Sequence, residues 1–125
     1  MGPGTAAASS TVADVTVGIP LLPVISVLAA GVNSKSICGS STGSTTIARL
    51  VIGGQSINVA NLPPNTTINL ILGAKVILNE QTATTGPGGD RVLTVNAVHV
   101  LLPPLLGLGA DVVVASASSD IHNCP

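Results

Sequence analysis

"TTIARLVIGGQSINV", Thr45 to Val59, is the stretch whose reading decides the fold. Two runs rich in β-branched residues are joined by Gly53-Gly54, and glycine at both central positions is what a tight two-residue hairpin turn demands. A hairpin here makes strands the default element. The rest of the chain keeps the same pattern, with short Val/Ile/Thr/Leu runs punctuated by Gly, Pro, Asn and Ser.

Upstream, Val12 to Val17 ("VADVTV") alternates apolar and polar for one strand, and Val24 to Cys38 reads as one long or bent strand with a candidate bulge at Gly31. "GSSTGS" (Gly39 to Ser44) is expected as a turn. Downstream, Thr66 to Leu72, Lys75 to Gln81, Arg91 to Leu102 and Ala110 to Cys124 follow as strands, with "NLPPN" (Asn61 to Asn65) and "TATTGPGGD" (Thr82 to Asp90) as loops. A helix over Val24 to Gly31 or Leu101 to Leu108 competes on periodicity alone, but proline density disfavours it. About seven or eight strands, with turns roughly every 8 to 12 residues, describe an all-β antiparallel sandwich or barrel-like domain.

The chain has 125 residues, the size of one domain able to close its own core. We expect residues 1–11 to be a disordered or tag-like leader and residues 12–125 a single β domain. Only 7% of residues are charged, against roughly 25% in an average globular protein, and Phe, Trp and Tyr are absent. Lys35, Arg49, Lys75 and Arg91 are scattered and the formal net charge is -1, so no basic patch exists to hold a phosphate backbone. The lack of aromatics also removes platforms for stacking bases or sugars. Mean hydropathy is +0.67, yet Pro20, Pro23, Pro103 and Pro104 cut the apolar stretches below the roughly 20 residues of a spanning helix. An exported protein whose targeting segment precedes this chain is the expectation.

"SDIHNC" (Ser119 to Cys124) concentrates an acid, an imidazole and a sulfur. Two cysteines, Cys38 and Cys124, read first as one disulfide in an exported domain. Closing a loop of about 87 residues would stabilise the fold by roughly 4 kcal/mol in the chain-entropy model. The rival reading comes from strand geometry. Asp120, His122 and Cys124 share one face at alternate positions, as metal ligands would, but a zinc or copper site needs a further His or Cys from another strand. No cofactor is expected.

His99, on strict alternation, shares a face with Leu93, Val95 and Ala97 and reads as a partly buried, hydrogen-bonded histidine. Glu80 in "LNEQ" lacks the second carboxylate of a glycosidase pair, and the expectation is that it or Asn79 bonds a loop or pairs with Arg91 across the hairpin. No Walker pattern or dinucleotide fingerprint occurs, and no spacing suggests a Ser, His and Asp constellation. "NTT" (Asn65 to Thr67) is formally a glycosylation sequon.

"STGSTTIARLVIGGQSINV" (Ser41 to Val59), "NTTINL" (Asn65 to Leu70), "VILNEQ" (Val76 to Gln81), "LTVNAVHV" (Leu93 to Val100) and "DVVVASASSDIHNC" (Asp111 to Cys124) stand in register. Together they resemble the choice-of-anchor P family of exported bacterial proteins, whose extracellular domain is joined to differing attachment tails. The resemblance implies a Cys38–Cys124 disulfide and an extracellular or cell-surface location, and it offers no established catalytic activity to carry over.

Low charge and high apolar content leave strand edges poorly guarded, so self-association is the natural hypothesis. We expect a non-enzymatic structural domain that assembles through strand edges or through the Leu-rich segments around Leu21, Leu22, Leu101, Leu102, Leu105 and Leu106. The alternative is a monomeric adhesion or ligand-binding module acting through loops such as Thr82 to Asp90, with a cell-wall or protein partner.

Overall fold

The computed structural model describes residues 5–18, 23–60, 63–70, 73–101 and 111–122. Eight strands form two four-stranded antiparallel meanders packed face to face, an antiparallel β-sandwich. The first sheet is β1 (Thr5–Val17), β2 (Ile25–Ile37), β3 (Ser40–Ile52) and β4 (Gln55–Ile57), in that order. The second is β5 (Thr66–Asn69), β6 (Lys75–Thr85), β7 (Arg91–Leu101) and β8 (Asp111–Ile121). Across the interior, β1 lies over β8, β2 over β7 and β8, and β3 over β6 and β7.

The expected hairpin is present, with Ile52 paired to Gln55 and positive φ at both Gly53 (59°) and Gly54 (82°). A second two-residue turn, Cys38–Gly39, joins β2 to β3, so most of "GSSTGS" is strand rather than turn. Residues 5–11, expected as part of a leader, are the first half of β1 and pair with β2 from Thr5↔Ile37 onward. Their Thr, Ala and Ser residues show no apolar alternation, but the small side chains of Ala6, Ala8 and Ser10 suit the interior they face.

That interior is uneven. One end is filled by Ile25, Leu50, Val76, Leu78, Val98 and Val100, all essentially inaccessible. At the other end small and polar residues from β2, β3 and β8 face Leu93 and Val95 of β7. Ser34 Oγ donates to the Leu93 carbonyl at 2.6 Å, and the Ser119 hydroxyl meets those of Ser34 and Ser36, each at 2.7 Å. Two seryl side chains and one hydrogen bond span less than the roughly 10 Å usual between packed sheets, so the sheets converge here. Small residues take the place of aromatic filling.

Strand alternation is not strict, and its reversal is shared between neighbours. In β1, β2 and β3 the consecutive pairs Ala13-Asp14, Leu28-Ala29 and Ala48-Arg49 all face outward, and inward positions change parity beyond them. The paired residues on either side, Val12↔Ala30 and Asp14↔Leu28, keep one register, so no residue is inserted. Ala29, in the central strand, carries the change with φ of 50°. The second sheet does the same with inward pairs Leu78-Asn79, Ala97-Val98 and Val114-Ala115, and positive φ at Asn79 (53°) and Ala115 (58°). Outward pairs in one sheet and inward pairs in the other step in the same direction, which keeps the sheets nested. The expected bulge at Gly31 is absent: Gly31 pairs regularly with Thr11 and Thr46.

Candidate functional site

The parity change corrects the placement of His99. Beyond Ala97-Val98 the inward positions are Val98 and Val100, so His99 lies on the outer face beside Asn96 rather than with Leu93, Val95 and Ala97. Glu80, brought outward by the matching change in β6, faces both. Its Oε1 accepts from Asn96 Nδ2 at 2.8 Å and lies 2.8 Å from His99 Nδ1. On the other side of the ring, His99 Nε2 is 3.1 Å from Asp111 Oδ2, a close approach without an aligned hydrogen bond. A carboxylate on each ring nitrogen fastens β6, β7 and β8 together.

The expected pairing of Glu80 with Arg91 is therefore replaced. Arg91 instead donates to the carbonyls of Asp90 (2.9 Å) and Gly39 (3.2 Å). The loop expected over Thr82 to Asp90 is also shorter than its composition suggests. Thr82 to Thr85 belong to β6, and the remainder is held by Gly86 N to Asp90 O at 3.0 Å and by Gly39 N to Gly89 O at 2.7 Å. That last bond ties the loop to the β2–β3 turn.

Asp120 and His122 are both well exposed, with Oδ1 and Nδ1 3.6 Å apart. Among the described residues no group of three His, Cys, Asp or Glu side chains is placed to hold a metal ion. Cys124 lies outside the described residues, and its expected pairing with Cys38 with it; no described cysteine is free. Leu21, Leu22, Leu102, Leu105 and Leu106 also lie outside them, while Leu101 closes β7 half-buried between Lys75 and Asp111.

The edges are the more informative feature. β1 ends the first sheet, and its 13 residues carry one charge, Asp14. Natural edge strands are guarded by lysines, prolines, bulges or covering segments. Apart from Asp14, β1 has none of the side-chain guards. β8, the corresponding edge of the second sheet, has an aspartate at Asp111 and another at Asp120. β6 is capped beyond β5 by Asn65, whose N–H bonds Asn79 O and whose Oδ1 accepts from Gln81 N, both at 2.9 Å.

The opposite edge of the first sheet is also incomplete. β4 pairs with Leu50, Val51 and Ile52, and among the described residues Ser40 to Arg49 of β3 have no ladder neighbour on that side. A cleft of ≈ 480 Å³ lies there, between Gly43–Ile47 of β3 and Val59, Ala60, Pro64, Asn79 and Gln81. Thr45 Oγ1 is buried beside it without a hydrogen-bond partner, and Gln81 Nε2 donates to the Gly43 carbonyl at 3.2 Å. Sequence reading found the weak guarding of edges in general but not these two, because β3 looked like a turn at its start and β1 like a leader.

No family model, curated protein or solved structure matches this chain. The likeness to choice-of-anchor P domains thus rests on the quoted segments alone. No helix among the described residues is long and apolar enough to cross a membrane.

Proposed function

We propose that this chain is a non-enzymatic structural domain that assembles with copies of itself through strand edges, as a component of an extracellular or cell-surface layer or filament. The observation that carries this reading is β1, a 13-residue terminal strand of its sheet with a single charged side chain. Such an edge offers a row of main-chain donors and acceptors to another strand, and pairing of this kind needs no side-chain chemistry. The low charge of the whole chain and its likeness to exported surface domains agree with it.

The reading includes a Cys38–Cys124 disulfide, which suits an oxidising compartment. Ser36 bonds Ser119 across the sheets, which puts the β2–β3 turn that holds Cys38 and the last residues of β8 at the same end of the sandwich. Intact mass under non-reducing conditions should be lower than that of the dithiol by about 2 Da; a full thiol titration would remove the bridge from this reading.

Sedimentation velocity over a range of concentrations, with interference optics because the chain lacks Trp and Tyr, tests assembly. Species that grow with concentration are expected. A monomer at every concentration would overturn self-assembly and favour a monomeric binding module instead.

A further inference from the structure

We propose that the open side of β3, where no described strand pairs and the Gln81 side chain holds the Gly43 carbonyl, receives β1 of a second copy in place of that side chain, so that the first sheet continues from molecule to molecule. This rests on the assembly reading above and names its two faces.

Four observations point to this pairing. The two edges lie at opposite sides of one sheet, whose order is β1-β2-β3-β4. They match in length and pleat: Thr5 to Ala13 of β1 and Ser40 to Ala48 of β3 both run from the β2–β3 turn end to the row where alternation reverses. Neither segment contains a charged residue, and both present small side chains inward, Ala6, Ala8 and Ser10 on β1 against Ser41, Gly43 and Thr45 on β3. Finally, the position beside β3 is a cleft of ≈ 480 Å³ in line with the short β4, with the unpartnered Thr45 hydroxyl at its wall. An added strand would supply main-chain groups to that space.

Pairing of unlike edges is heterologous and does not close on itself unless the rotation between copies makes a ring. Growth therefore passes beyond two copies, into a ring or an open filament, whereas pairing of β1 with another β1 about a two-fold axis stops at a dimer.

The experiment uses two full-length variants with lysine guards on exposed outer-face positions, one in β1 (Ser9→Lys with Thr11→Lys) and one in β3 (Ser44→Lys with Thr46→Lys), checked for native circular dichroism. Each alone should remain monomeric where the wild type grows, and an equal mixture should give a single species of twice the monomer mass and no larger one. If the β3 variant alone forms dimers, or the mixture stays monomeric, the pairing of β1 with β3 is wrong although assembly stands. A wild type that never assembles overturns the assembly reading itself. Should either variant fail to fold, amide hydrogen exchange on the wild-type assembly decides: protection must rise in both Thr5–Ala13 and Ser40–Ala48 relative to the monomer, and a rise confined to one of them overturns the proposal.

Discussion

The hydroxyls of Ser34 and Ser119 meet at 2.7 Å across the interior, joining β2 to β8 at the converging end of the sandwich. Ser119 is 2% exposed and also bonds Ser36, so its side chain holds two others. Ser119→Ala should cost about 1 to 3 kcal/mol by leaving buried hydroxyls short of a partner. Ser119→Val should cost at least as much, because the added methyl groups must force apart closely spaced sheets. Urea denaturation of the two variants measures both, and an unchanged midpoint for Ser119→Ala would show that the network is replaceable.

Gly43 is required by space rather than by backbone angle. A Cβ there would lie 2.5 Å from Val95 Cγ2 and 3.1 Å from Leu93 Cδ2, whereas one at Gly18 would meet nothing within 4 Å. Gly43→Ala is expected to destabilise by about 1 to 3 kcal/mol through overpacking, and Gly18→Ala to leave the thermal midpoint near that of the wild type.

Ala29 makes the opposite case, since its φ of 50° lies in the left-handed region. Valine is the better strand former, but a β-branched residue is strained at such an angle while glycine is not. Ala29→Val should therefore be less stable than Ala29→Gly by about 1 to 2 kcal/mol. Equal stabilities in chemical denaturation would mean that the backbone relaxes out of this conformation.

Glu80 and His99 should behave as a unit. Their side chains are 18% and 14% exposed, enough shielding for a short charge-assisted contact to matter. A double-mutant cycle with Glu80→Gln and His99→Ala is expected to give a coupling of about 1 kcal/mol. A coupling within error of zero would reduce the contact to coincidence of position.

The strands were legible because β-branched runs and glycine turns recur along the chain, and Gly53-Gly54 fixed one hairpin outright. Glu80 and His99 were each visible as candidates, but their meeting was not, since period-two alternation assigned His99 to the wrong face. The consecutive apolar pairs Ala97-Val98 and Val114-Ala115 were a signal for the parity change that only a comparison of neighbouring strands would have exposed. β1 was obscured for a different reason. "TAAASST" has the composition of a linker, and it becomes a strand because Ser and Ala are what the converging sheets admit.

The shared change of parity also bears on how such a sequence can vary. In each sheet it crosses three adjacent strands at one level, so the segments before and after it are locked together in length. One residue added to or removed from β2 on either side of Ala29 would turn every following side chain of that strand to the opposite face while β1 and β3 stayed as they were. Relatives of this chain should therefore gain and lose residues at the turns, and keep the spacing between each turn and the reversal level constant.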